Sequence, residues 1–170
     1  MSGRDAIRMS ETEVQAFLAE EKTVVVGTIG RDGWPHLMPL WYVVTSPRGG
    51  ACDAGRAKSD PERIALWSWT YAASQKVRNL ERDPRCTLQV ESGTEYGELR
   101  GVMFKAECAL HRDVEAVAGI GAELAQRYGG EDLSPELEAA MRKQASKRVG
   151  LEFVSREASS WDHRKLGGTY

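Results

Sequence analysis

Cysteine is scarce and unpaired in this chain: Cys52, Cys86 and Cys108 are the only three among 170 residues. An odd count at wide spacing makes neither a disulfide framework nor a CxxC zinc or redox pair, which suits a reducing compartment with free thiols. Histidine is equally rare, and His36, His111 and His163 lie too far apart for a metal-binding motif. No run approaches the roughly 18 apolar residues of a membrane helix, and the N-terminus shows no apolar core before a cleavage-like site. An excess of positive charge is missing as well. The formal net charge of −2 argues against a general nucleic-acid binder, although a local basic patch stays open. No GxGxxG follows a strand and no Walker A sequence occurs, so the common nucleotide folds are not expected. Repeats and low-complexity tracts are also lacking. The reading is a cytoplasmic protein of one domain, residues 1–170, long enough to bury roughly two thirds of its unfolded surface.

What is present reads largely as strands. Ser10-Glu11-Thr12-Glu13 is a capping box opening a short amphipathic helix with Val14, Phe17 and Leu18 on one face. Residues 1–9 are polar and read as a frayed tail. Thr23 to Ile29 is β-rich, Gly30-Arg31-Asp32-Gly33 is a turn, and Trp34 to Thr45 follows as the second arm of a hairpin. Pro35 and Pro39 each remove a ladder donor, which fits either a plain edge strand or an edge facing a ligand. Residues 46–62 form a long polar loop, either a solvated insertion or a functional segment. Strands are expected at Ile64–Thr70, around Cys86–Val90, over Glu98–Arg112 and over Arg148–Val154. Helices are expected after Asp113, closed by Gly129-Gly130, and after Ser134-Pro135. The strand ending at Arg112 is long enough to bend around a barrel. The tail SSWDHRKLGGTY (159–170) is polar, but its Trp161 and Tyr170 suit docking on a surface, including a partner's. Six strands and four helices in this order predict a mainly β (α+β) domain, a small antiparallel barrel with flanking helices.

The stretch Thr70 to Pro84, TYAASQKVRNLERDP, carries the most chemistry. A strand leads into a short helix with Ser74 as N-cap, Lys76 in the first turn and Asp83-Pro84 as the stop. Free amides and the positive helix end favour a bound anion, while an ordinary capped surface helix accounts for the same residues.

The order of the motifs resembles a known family. T-x-G-x-D-G-x-P-H-x-x-P-x-W in the hairpin, followed by W-T-x-x-x-S-x-K-x-x-N-L-x-x-D-P and antiparallel strands, is similar to the split β-barrel proteins related to pyridoxamine 5′-phosphate oxidase. The likeness covers roughly Ser10 to Arg112, with weaker support from the last strand and WDHRKL. It implies a six-stranded antiparallel split barrel. It further implies a homodimer binding FMN, or the deazaflavin coenzyme F420, at the subunit interface; the charge balance and the lack of long apolar runs leave no nucleic acid or membrane as an expected partner. By the same resemblance Trp69 and Thr70 lie beside the ring, Ser74, Gln75 and Lys76 clamp the phosphate, and Asn79 also binds the cofactor. Met38, Pro39, Leu40 and Trp41 line the ring and ribityl chain. Where the FMN-using oxidase tends to place arginine this chain has Met38 and Gln75, which tilts the cofactor toward F420. No clear pyridoxal-phosphate-binding Arg-x-His pattern is present, so vitamin B6 oxidation is not expected.

The expected activity is therefore a flavin- or deazaflavin-dependent oxidoreductase, passing hydride between the cofactor and a small conjugated substrate. No catalytic side chain is assigned, because the cofactor carries that chemistry. Trp41, Trp67 and Trp69 read either as pocket walls or as core. The alternative function is a non-catalytic haem, tetrapyrrole or flavin binder on the same barrel, with His36 or His163 against a haem. An RNA-binding role for Lys76, Arg78, Arg82 and Arg85 is opposed by the acidic balance.

Overall fold

The structure, a computed structural model, describes residues 3–44, 64–130 and 134–167. Six strands form one antiparallel sheet: β1 (Thr23–Ile29), β2 (Pro35–Trp41), β3 (Ala65–Tyr71), β4 (Arg85–Ser92), β5 (Arg100–His111) and β6 (Arg148–Asp162), in the order β2-β1-β4-β5-β6-β3. The helices are α1 (Gly3–Ala6), α2 (Glu11–Glu20), α3 (Gln75–Arg82), α4 (Val114–Gly129) and α5 (Pro135–Ala145). The mainly β, six-stranded split barrel expected from the sequence is the fold observed. Alternation decides its inside: Val24 and Val26 of β1, Leu88 and Val90 of β4, and Val102 and Phe104 of β5 share one core with Leu151 and Phe153 of β6.

Most local signals have their physical outcome. The α2 capping box forms in both directions, with the Glu13 amide donating to Ser10 Oγ and the Ser10 amide to Glu13 Oε2. Gly33 takes φ 83°, the left-handed backbone that the β1–β2 turn requires. Asp113 and Ser134 cap α4 and α5, and Gly130 closes α4 at φ 67°. Within the sheet β2 pairs only with β1, so Pro35 and Pro39 sit on an edge strand that tolerates their missing donors.

Three expectations need correction. β2 stops at Trp41 instead of running to Thr45, because the Tyr42 amide and carbonyl turn to the Tyr128 hydroxyl, at 3.0 and 2.8 Å. Val43 then pairs with Trp67 in an isolated antiparallel bridge, which joins the chain leaving one edge of the sheet to the other edge. Residues 1–9 are no frayed tail throughout. They include α1, and Met9 is buried with its amide donating to Ser160 Oγ at 3.1 Å. β6 continues eight residues past Val154, so 159–162 are strand and 163–166 a 3-10 turn. Trp161 seats on Gly101 of β5, where an added Cβ would lie 2.3 Å from the indole. Residues 46–62 and Tyr170 lie outside the described residues.

α4 covers the outer face of β3. Val43, Trp67, Ile120 and Leu124 form a second cluster, and the Trp69 ring packs against Gly121 in mid-helix. A Cβ at Gly121 would stand 2.4 Å from Trp69 Cζ3. Alanine would otherwise improve the helix by ~1 kcal/mol. Overpacking outweighs that gain, so Gly121→Ala is expected to destabilise the protein by about 1–2 kcal/mol in urea unfolding. A variant as stable as the parent, or more so, contradicts this packing.

Candidate functional site

The inner face of the barrel mouth collects the polar residues of α3. This helix buries Lys76, Val77, Asn79 and Leu80, one face on which two of four residues are polar. Lys76 is 7% exposed, and its Nζ donates to Thr70 Oγ1 of β3 at 3.0 Å. Among the described residues no carboxylate pairs with it, and burial alone pushes its amine below the ordinary value of 10.5. Asn79 is fully buried. Its Nδ2 donates to Thr28 Oγ1 at 3.0 Å while Gln75 Nε2 donates to its Oδ1 at 2.9 Å. Thr28 lies opposite His36 and its hydroxyl is 3.4 Å from the His36 carbonyl, so one chain of polar groups runs from α3 through β1 to β2.

Ser74 occupies the N-cap position of α3, but its hydroxyl makes no capping bond. Ser74 Oγ is buried and has no hydrogen-bond partner among the described residues. A buried hydroxyl without a partner costs free energy that a ligand oxygen would recover. Ser74 Oγ, the first amides of α3 and the Lys76 ammonium thus converge on one turn, and this donor set fits a phosphate group.

Nine of the ten residues expected at the site divide into two groups, and Trp69 stands apart. Thr70, Ser74, Gln75, Lys76 and Asn79 gather at the β3–α3 turn, with Asn79 acting on Gln75 and β1. On β2, Met38 and Leu40 face the same way as their partners Val26 and Val24, while Pro39 and Trp41 face the opposite side. Leu40 packs on the core, Met38 is half-exposed, and Trp41 is exposed with its ring stacked on Tyr128 at 4.4 Å. Ser68 Oγ donates to the Trp41 carbonyl at 2.7 Å, which ties this group to β3. The Trp69 side chain is turned to α4, with its ring edge on Gly121 and Arg148 over its face, so the site can use its backbone. Trp67 is core.

Three features escaped sequence reasoning. The Arg148 guanidinium lies over the rings of Trp69 and Tyr71, at 4.3 and 4.5 Å. Strand pairing opposite Tyr71 brings it there, and nothing in linear spacing announces that. Thr28 supports Asn79 from 51 residues away. A cavity of about 400 Å³ opens beside Gln75 and Asn79, lined also by Arg31, Trp34 and His36 from the β1–β2 turn. The histidines separate: His111 pairs with Glu152 at 2.9 Å, and His163 Nδ1 donates to the Tyr96 carbonyl at 2.9 Å. His36 Nδ1 is buried and has no partner among the described residues. Among the described residues no cluster of metal-ligating side chains occurs, and no helix is long and apolar enough to cross a membrane.

Residues 10–162 match the family described as pyridoxamine 5′-phosphate oxidase. The chain belongs to that family. A conserved hypothetical protein of Mycobacterium tuberculosis is 36% identical, with 100% of this chain and 95% of that one covered and a TM-score of 0.81. An F420 reductase is 16% identical over 85% of this chain and 94% of its own, at a TM-score of 0.57. A haem storage protein of Vibrio cholerae is 17% identical over 86% and 90%, at 0.59. At those two identities the likeness is one of fold. No curated protein matches the sequence. The fold is thus one that this F420 reductase and this haem storage protein also have.

A buried ammonium facing only a neutral hydroxyl is costly to the cofactor-free protein. Lys76→Met is therefore expected to raise its melting temperature at neutral pH. Folding disfavours the charged amine, so the unfolded chain binds the extra proton and wild-type stability rises as the pH climbs toward 10.5. The gap between variant and wild type should close over that range. A variant that melts lower at pH 7 contradicts the uncompensated charge.

Proposed function

We propose that this family member binds a flavin or deazaflavin cofactor and works as an oxidoreductase on a small conjugated substrate. The observation that carries the reading is the turn at Ser74–Lys76, where an unpartnered buried hydroxyl and a buried ammonium stand beside free helix amides. Ser74 Oγ and Lys76 Nζ would bind the phosphate, and Thr70 holds the lysine in place. Met38, Leu40 and Trp41, with the β3 backbone at Trp69 and Thr70, would line the ring and its polyol. Asn79 positions Gln75 against the same turn. Once bound and reduced, the cofactor supplies a hydride from its ring C5 or N5. The chain's own part is to orient the ring and keep one face free for substrate. Met38 and Gln75, in place of two cations, favour coenzyme F420 over FMN.

The family's homodimer, with cofactor at the subunit interface, is part of the same proposal. β2 supports it: Leu37 is 61% and Trp41 59% exposed, a large apolar display for an edge strand facing only water. Sedimentation velocity should report a dimer, and a monomer at micromolar concentration would remove this element. Fluorescence titration should show saturable binding of FMN or coenzyme F420. Lys76→Ala should weaken it by about 1.5–3 kcal/mol, the worth of a charge-assisted contact. No binding of either cofactor ends the proposal.

One observation favours haem binding as a second reading. The Tyr96 carbonyl accepts from His163 Nδ1 and so leaves Nε2 as the lone-pair nitrogen, the arrangement that metal-ligating histidines use. A Soret shift on adding haemin, lost in His163→Ala, supports it. An unchanged haemin spectrum removes it.

A further inference from the structure

We infer that Pro35 and Pro39 guard the open edge of the sheet, keeping a second copy of this chain from adding a strand to β2. The inference is independent of the cofactor reading. It stands on where each backbone group of β2 points.

In an antiparallel pair, residues that exchange hydrogen bonds alternate with residues whose backbone turns to the other side. The Gly30 amide donates to the Trp34 carbonyl at 2.8 Å and closes the β1–β2 turn. Stepping by two along the register, Thr28–His36, Val26–Met38 and Val24–Leu40 are the pairs that bond β1 to β2. The far side of β1 agrees. The Cys108 amide donates to the Pro84 carbonyl at 2.9 Å, so Cys86 and Leu88 bond to β5, while Thr87 and Gln89 bond to Gly27 and Val25. Pro35, Leu37, Pro39 and Trp41 therefore turn their backbone away from β1. Both prolines of the strand fall in this outward set.

Among the described residues β2 pairs with β1 alone, and Pro35, Leu37, Pro39 and Trp41 are exposed. An exposed apolar edge is a template for strand addition, and charged side chains are one common deterrent. PHLMPLW carries no lysine, arginine or carboxylate, so charge gives β2 no protection. Proline does. It withholds the amide at Pro35 and Pro39 and leaves the Leu37 amide flanked by two donorless positions. The Trp41 carbonyl is already taken by Ser68 Oγ at 2.7 Å. An incoming strand would bury its own carbonyls opposite the two prolines without a proton to accept. The other edge is closed by different means: Val43 pairs with Trp67, and the Tyr71 carbonyl accepts from the Ser74 amide at 3.0 Å.

The test restores the missing donors. Pro35→Val and Pro39→Val add outward amides and remove no bond to β1, and valine suits a strand. Wild type, both single variants and the double variant are compared by sedimentation velocity over a concentration series and by thioflavin T fluorescence. Far-UV circular dichroism confirms folding, and the association state of wild type is the baseline. We expect the double variant to form larger species that grow with concentration and to show a thioflavin T signal that wild type lacks. Adding Leu37→Lys to the double variant should reverse both, because it places a charge on the reopened edge. A folded double variant with the wild-type sedimentation profile and no thioflavin T signal overturns the inference. Association that survives Leu37→Lys arises elsewhere and overturns it too. Should the double variant fail to fold, the single variants decide by the same two readouts.

Discussion

The closure made by Tyr42 and Val43 is the constraint on which the rest of the structure depends. Val43 exchanges backbone hydrogen bonds with Trp67 at 2.9 and 2.8 Å, joining the two open edges of the sheet. Tyr42 is fully buried, and its hydroxyl lies 2.8 Å from the Leu18 carbonyl and 2.9 Å from that of Glu21, at the end of α2. Arg127 donates to the same two carbonyls, at 2.8 and 2.6 Å, and stacks over the Tyr42 ring. α2, α4 and both sheet edges therefore meet at one residue pair. Burial pushes the Tyr42 phenol up, so it remains a neutral donor. Together with the Ser68 hydroxyl on the Trp41 carbonyl, this node holds the apolar run of β2 against the strand that leads into the polar turn.

The proposed site is where local stability gives way to another demand. A helix of eight residues that docks on a barrel would ordinarily bury apolar groups, yet α3 buries Lys76 and Asn79. Asn79 is satisfied through Thr28 and Gln75, and its cost is small. Lys76 and Ser74 are not satisfied in the same way, and an anionic ligand would complete both. Gly121 shows the same priority on the outer side of β3: helix propensity is sacrificed so that the Trp69 ring can lie against the helix backbone.

Much of this was legible along the chain. The Ser10–Glu13 box, the turn before Gly33, the caps at Asp113 and Ser134, and the alternation through Val102, Phe104, Ala106 and Cys108 each act within a few residues. Their signals are correspondingly local. The end of β6 was hidden by a bulge. The register shifts between Lys105 and Ala106, so that β6 carries an extra residue at Arg156 and its alternation changes phase there. Read linearly, that phase change looks like the end of a strand. The N-terminal segment was hidden because its partners lie about 150 residues away: the Met9 amide on Ser160, the Ile7 carbonyl on the Asp162 amide, and Lys165 on Glu13.

By itself the sequence determined the strands, the helix caps, the barrel class and the residue types at the phosphate turn, because periodicity and capping are short-range physics. Only the tertiary structure decided what those residues face. Packing against α4 turned Trp69 outward. Burial against Thr70 left Lys76 with no opposing charge among the described residues, and the pairing of β1 with β2 set Trp34 and His36 beside Gln75. Such outcomes depend on contacts between segments that are distant in the chain, and no local pattern encodes a contact whose other half is decided elsewhere.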